Sequence, residues 1–233
     1  MPHPPQRALT AQQERRLATW LDDRFLALTR GCKKRSQPDS DYPTLSHYLD
    51  AAHAALSMVL QIPPIDPSTS LRTAYLLRLT HDVLAAVPGY PATIDHIPNL
   101  LNWFDDLDNA WVVVLQAQVW HPEHGPMDLE IEAEAAATGM HSSPVTETER
   151  TRLRGLLIGG SATLEEWLDG GGLLQCFTGD EDEEDGEDVA EIGTVQDAFG
   201  ELFHRTLQEL GALGGLILTP FDEETIPCTA EIS

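Results

Sequence analysis

Hydrophobic side chains recur at helical spacing along most of this chain, so the pattern predicts a mostly helical protein. The first helix is predicted to begin at Thr10, with Gln13 completing a capping box, and to end at Gly31. Arg24 projects into its apolar face, and a guanidinium there calls for a carboxylate. We expect Asp108 to be that partner, although other acids of the chain fit the same argument. The apolar face itself consists of Leu17, Trp20, Leu21, Phe25 and Leu28.

Three further helices are predicted in the first half, and the third and fourth should form the centre of the core. The second runs roughly from Thr44 to Leu60. The third lies between the turn at 65–70 and the stop at 88–91, and its apolar residues point to nearly all sides, which is typical of a buried helix. The fourth extends from about Pro98 to Trp120. Its wide apolar arc includes Trp103, Phe104, Leu107 and Trp111.

The second half is predicted to be helical with longer connections. Residues 121–145 should form a surface connection, with a short strand at 128–132 where apolar and acidic residues alternate. Thr146 and Glu149 form a capping box that opens a fifth helix toward Leu157. The glycines at 159–160 are expected to separate it from a short helix at 162–168. A last amphipathic helix is predicted at about 195–210, closed by Gly211, with Arg205 on its solvent-facing polar side.

These elements indicate an all-α fold, an irregular helical bundle of about six helices with a long acidic loop. Residues 1–35 form a basic amphipathic N-terminal helix that is packed on the body or flanks it. Residues 36–120 form the helical core. Residues 121–233 form a helical second half with the connection 121–145, an acidic disordered loop at 178–192 and a C-terminal tail at 211–233.

The charge of the chain changes along its length. The net charge is −24, yet residues 1–35 hold eight Lys and Arg against three Asp and Glu, which leaves six bases against 35 acids in the remainder. An acidic surface repels phosphates and anionic membranes, so we expect neither direct nucleic-acid binding nor membrane binding. The basic cluster at 30–35 is interpreted either as a nuclear-import signal or as charge that neutralises the end of the first helix.

One short segment carries most of the acid density. Eight acids occur in nine residues, and a flexible polyanion of this kind captures Lys- and Arg-rich segments by salt-sensitive attraction. The alternative is a solvated spacer that only keeps the protein soluble. The predicted partner-binding residues are Asp180, Glu181, Asp182, Glu183, Glu184, Asp185, Glu187 and Asp188.

The remaining residue patterns that could indicate an active site or a metal site predict no catalytic residue, no metal ligand and no cofactor. Asp105 and Asp108 lie one helical turn apart and are an alternative divalent-metal pair, although no second acidic motif accompanies them. His121 and His124 are three residues apart, but Pro122 and Gly125 favour a surface turn over a ligand pair. The three cysteines, Cys32, Cys176 and Cys228, are too scattered for a zinc site.

The sequence therefore predicts an acidic helical protein that binds another protein. We expect an escort for a basic client or a subunit of a nuclear or cytoplasmic assembly, with no enzyme activity. The alternative from another class is a small helical metal-dependent enzyme that uses Asp105 and Asp108. No stretch approaches the roughly 20 apolar residues that span a bilayer, and no apolar N-terminal leader is present.

Overall fold

The computed structural model describes residues 7–131, 136–137, 139–170 and 198–214. Within these residues the protein is a bundle of six α-helices with one small β-hairpin, so the all-α prediction is confirmed. Two 3₁₀ turns, Val87–Gly89 and Ile94–His96, precede the fourth helix. The helices are α1 Ala11–Lys33, α2 Leu45–Leu60, α3 Ser68–Ala86, α4 Ile97–Leu115, α5 Glu147–Gly170 and α6 His204–Gly214, and the hairpin joins β1 Val119–His121 to β2 Gly125–Met127.

Helix α1 begins as predicted but does not end where predicted. The Thr10 hydroxyl accepts from the Gln13 amide at 3.3 Å, and the Gln13 side chain accepts from the Thr10 amide at 2.9 Å. Gly31, however, stays helical and buried, and the helix continues to Lys33. A Cβ at position 31 would come within 2.3 Å of the Tyr42 ring. This glycine therefore permits close packing rather than a left-handed stop.

The core is centred on α3 and α4, as the wide apolar arcs indicate. Helix α3 is buried on several faces, and the apolar stripe of α4 is buried along its whole length. The indole N–H of Trp111 donates to the Thr80 hydroxyl of α3 at 2.9 Å, so its only polar group is satisfied inside the core. The stripe residues Trp103, Phe104, Leu107 and Trp111 all expose less than a twentieth of their surface.

Helix α4 is shorter than predicted, because it ends at Leu115 and Val119 already belongs to a strand. The chain reverses at Gly125, whose φ of 75° suits glycine, and Val119 pairs with Met127 in the antiparallel register. The strand predicted at 128–132 is wrong for its described part, residues 128–131, which lie after the hairpin. The apolar residues at 119 and 120 continue the period of α4, so periodicity alone could not place the end of the helix.

The predicted break at residues 159–160 is wrong, and α5 runs without interruption through both glycines. Its capping box is confirmed: the Glu149 carboxylate accepts from the Thr146 amide at 3.0 Å, and the Thr146 hydroxyl accepts from the Glu149 amide at 3.3 Å. Gly160 faces α3, where an added Cβ would come within 2.5 Å of Leu84. The glycine therefore marks a close helix contact.

The last predicted helix is displaced in the structure. Its predicted start, at 195–197, lies outside the described residues, 198–200 are helical, and a turn follows in which Phe203 adopts φ 61°. Helix α6 then begins at His204 and passes through Gly211, the predicted stop, to Gly214. The ring of Phe203 packs edge-on against Phe104 of α4 with the centroids 5.5 Å apart. This contact holds the turn against the core.

The expected partner of Arg24 is also wrong. Arg24 is half-buried and makes no hydrogen bond or ion pair within the described ranges, and Asp108 is bound by another arginine. The cation that covers α1 comes from α3 instead: Arg78 lies over the Phe25 ring and donates to Asp22 at 2.8 Å. Trp20, assigned to the apolar face, is 47% exposed.

Candidate functional site

The acids of α4 form a polar contact with the start of α6. Asp108 is buried, and its carboxylate accepts from the Thr206 amide at 2.9 Å and from the Arg205 amide at 3.3 Å. The Thr206 hydroxyl also bonds to Asp108. The first amides of a helix have no partner within that helix. A carboxylate from α4 therefore caps α6 from outside its own chain segment.

Arg205 occupies the space between the two carboxylates that the metal alternative requires. Its Nε donates to Asp108 at 3.0 Å, and one of its terminal nitrogens donates to Asp105. The hydrogen bond to Asp108, together with Asp105, raises the pKa of Arg205. A divalent ion would have to displace this guanidinium before it reached both acids. The hypothesis of a metal-dependent enzyme at Asp105 and Asp108 stays a hypothesis, with a competing cation in place.

A cavity of about 320 Å³ opens between α2, α4 and the hairpin. One wall carries His53 and Asp106, whose Nδ1 and Oδ2 atoms are 3.5 Å apart. Burial raises the pKa of Asp106; His53 opposes this rise and the neighbouring Asp105 adds to it. Trp120 and Pro126 of the hairpin form the opposite side. The size is at the small end of the range for ligand cavities.

Sequence reasoning missed the pairing of His53 with Asp106, because the two residues lie 53 positions apart on different helices. Helical projection places each on a polar face but does not say which faces meet. Ser57 lines the same cavity one turn after His53, yet its hydroxyl makes no hydrogen bond to His53 in the described structure. The cavity therefore offers an acid and an imidazole for binding, without an activated nucleophile.

The turn of the hairpin holds a second group of polar side chains. The predicted turn at Pro122 is present, and it brings the rings of His121 and His124 into a stack with centroids 4.6 Å apart. One potential ligand atom from each of His121, Glu123 and His124 lies within 4.8 Å of the others. This convergence could not be predicted from the sequence, because it depends on how the turn folds between the two paired strands.

Beyond residue 35 the chain has six cationic side chains, and the fold uses most of them internally. Arg78 and Arg205 pair with acids, and Arg150 donates to the Leu213 carbonyl at 3.3 Å. Arg72 is fully buried and donates to the Gln118 carbonyl at 2.7 Å; burial lowers its pKa to about 10, so it stays charged at neutral pH. Arg152 and Arg154 on α5 are the remaining two. Little positive charge is left to neutralise the acids of the body.

The last described turns of α5 carry acids that have no basic partner. Glu165, Glu166 and Asp169 are exposed and make no ion pair or hydrogen bond within the described residues. They lie in the last two described turns of α5, where three acids and no base are exposed. The predicted binding residues Asp180 to Asp188 follow in sequence but lie outside the described residues. Asp169 precedes the first of these predicted binding residues by eleven positions in sequence.

None of the described helices is both long enough and apolar enough to cross a bilayer. Searches against protein-family models, curated proteins and solved structures return no match.

Proposed function

We propose that this chain is an acidic helical protein that binds a Lys- and Arg-rich segment of another protein, acting as an escort for a basic client. The observation that carries the proposal is the unpaired acid group Glu165, Glu166 and Asp169 at the end of α5. It leads along the chain toward the eight acids at 180–188. A basic segment would neutralise both groups together.

The physical argument rests on the cost of leaving these acids unpaired. Like charges one helical turn apart, such as Glu165 and Asp169, destabilise a helix by about 0.2–0.5 kcal/mol. No Lys or Arg of the described residues pairs with these acids. The six cations beyond residue 35 lie elsewhere, and Arg35, which lies over the Tyr90 ring next to Trp167, donates to backbone carbonyls. A cationic partner would remove this repulsion and would be drawn in by the field of the whole body. The attraction would weaken as salt is added.

The distribution of exposed apolar side chains favours an escort over a permanent subunit. A permanent interface requires a contiguous apolar patch. The large exposed apolar residues in the described structure belong to four separate elements. Trp20 and Leu26 lie on α1, Ile94 lies before α4, Ile158 lies on α5 and Leu213 lies on α6.

We also propose a nuclear or cytoplasmic location. Only part of the basic cluster at 30–35 is available as an import signal. Arg30, Lys33 and Lys34 are exposed and accessible to an import receptor. Arg35 has a structural use instead, because it donates to the carbonyls of Gly89 and Cys32 and lies over the Tyr90 ring. Replacing Lys33 and Lys34 by Gln in a fluorescent fusion tests import without disturbing these contacts.

Binding of a short fluorescent poly-lysine peptide, followed by anisotropy across a salt series, tests the proposal. We expect the triple variant Glu165→Gln, Glu166→Gln, Asp169→Asn to weaken binding several-fold at low salt, and neutralising residues 180–188 to weaken it further. The matched control removes the same charge from exposed acids elsewhere, as Asp39→Asn, Asp41→Asn, Asp50→Asn. Equal losses of affinity in both triple variants would mean that binding depends only on the net charge of the protein. No binding at low salt would refute the proposal.

A further inference from the structure

We infer that the turn of the β-hairpin is a binding site for a divalent transition-metal ion of the zinc class. Its ligands are His121, Glu123 and His124. The inference is independent of client binding, because these residues lie on a different element from the acids of α5. It rests on how the hairpin holds three side chains of the appropriate chemistry at one point.

The backbone of the turn is fixed by the strands on either side. His121 pairs with Gly125 at the last position of the ladder, so the ligand residues lie within a closed loop. Gly125 takes φ 75°, which lets the chain reverse directly after His124. Pro122 restricts φ between His121 and Glu123. A ligand set on such a turn loses less backbone entropy on binding than one on a flexible tail.

The three ligand atoms are already close to the spacing that an ion requires. They lie within 4.8 Å of one another. Zinc binds nitrogen and oxygen at about 2.0–2.2 Å, which places tetrahedral ligands about 3.3–3.5 Å apart. The remaining closure is about 1 Å or slightly more, which is within the range of a side-chain rotation by Glu123 and His124, and the rotation would exchange their present contacts for metal bonds.

The two histidine rings must change their relative orientation before both can bind one ion. The rings of His121 and His124 stack at an interplanar angle of 14°, so at least one must rotate before both ring planes contain the ion. In His121, Nδ1 accepts a hydrogen bond from the Glu123 amide at 3.2 Å. An acceptor nitrogen carries a lone pair, and this one is directed into the turn. Binding would exchange a long hydrogen bond for a metal bond.

The chemistry of the ligands selects the class of ion. Imidazole suits zinc, copper and nickel, whereas magnesium and calcium prefer sets of oxygen ligands. Two imidazoles and one carboxylate leave a further coordination position for water. The ion would also hold the end of β1 to the turn of the hairpin, whose residues Trp120 and Pro126 line the cavity beside His53 and Asp106. Metal binding would thereby stiffen one wall of that cavity.

Calorimetric titration of the full, metal-stripped chain with Zn²⁺ tests the inference. We expect one Zn²⁺ to bind per chain above a weak background from the acidic surface, and Mg²⁺ to give the background alone. His121→Gln and His124→Gln should each weaken the specific site about tenfold or more, at least as much as loss of an outer-shell partner. His81→Gln, which removes an exposed histidine beside an acid on α3, should have no effect.

Loading the protein with Co²⁺ gives an absorption spectrum that reports the ligands of the ion and does not depend on the overall charge of the protein. Nitrogen ligation by the wild-type protein should produce visible absorption bands, and His124→Gln should lose them while its circular dichroism stays unchanged. Glu123→Gln should weaken binding but keep the nitrogen signature. Identical Zn²⁺ affinity in the wild type, His121→Gln and His124→Gln would overturn the inference, as would a Zn²⁺ titration no different from that of Mg²⁺.

Discussion

Asp108 of α4 caps the first turn of α6, because its carboxylate accepts from the amide of Thr206 at 2.9 Å. Helix caps usually come from the residue directly before the helix. Here Phe203 precedes α6 in a turn with φ 61°, and its ring packs into the core instead. The capping carboxylate is supplied by a residue 98 positions upstream. It also holds the Arg205 side chain, so one buried acid serves both the backbone and the cation.

Loss of this cap should destabilise the protein strongly. Asp108→Ala leaves the buried amide of Thr206 and the amide of Arg205 without their acceptor, and each orphaned group costs about 1–3 kcal/mol, whereas the Thr206 hydroxyl keeps the backbone carbonyl of residue 108. We expect a loss of about 2–4 kcal/mol in the free energy of unfolding, measured with urea. Asp105→Asn, which removes an exposed partner of the same arginine, should cost less than about 1 kcal/mol. A similar small effect for both variants would mean that α6 does not depend on this cap.

Two adjacent glycines of α5 should respond to alanine in opposite directions. Gly159 has no neighbouring atom within 4 Å of an added Cβ, so Gly159→Ala should raise stability by up to about 1 kcal/mol through helix propensity. Gly160→Ala forces the buried Leu84 to move and should cost about 1–2 kcal/mol. Thermal unfolding of the two variants provides the comparison. Stabilisation by both would mean that α3 and α5 are less closely packed than described.

The same glycines show what the sequence could and could not predict. Capping boxes at Thr10 and Thr146 and the apolar stripe of α4 were identified correctly, because those signals are local. A glycine, in contrast, indicates either a helix stop or a close contact, and only the residues that pack against it decide which. Gly31 against Tyr42 and Gly160 against Leu84 are both contacts. Helix existence was therefore predictable, whereas helix ends depended on tertiary packing.

The cavity acid Asp106 should link stability to pH. Its folded pKa is raised above the ordinary value of 3.8, chiefly by burial, so the folded state binds the proton more readily than the unfolded state. Stability attributable to this group therefore rises as the pH falls from the raised value toward 3.8. We expect the wild type to gain stability relative to Asp106→Asn across that interval, in urea unfolding at several pH values. A constant difference between the two proteins would contradict the raised pKa.

Trp111 should be the costliest single truncation on α4. It is completely buried, and Trp111→Ala removes a large core side chain and leaves the Thr80 hydroxyl without its donor. We expect a loss of about 3–5 kcal/mol by urea unfolding. Trp20→Ala is the control, because that indole is half exposed and its loss should be small. A neutral Trp111→Ala variant would move this stripe from the core to an interface.

The candidate sites were less predictable than the fold. Asp105 and Asp108 were recognised as a pair one turn apart, but their partner, Arg205, was assigned to a solvent face of the last helix. That assignment followed from a helix register that the turn at Phe203 shifts. His53 and Asp106, and the converging residues at the hairpin turn, depend on which faces and strands meet. No spacing rule within one element contains that information.

The long separation in sequence between Asp108 and α6 also determines when α6 folds relative to the other helices. Helix α6 has eleven residues, fewer than an isolated helix needs to be stable in water. Its cap and most of its packing surface belong to α4, so the chain must close a loop of nearly a hundred residues before these contacts stabilise α6. Helix α6 should therefore dock late and open first. Its amides should exchange with deuterium before those of α3 and α4 in the native protein.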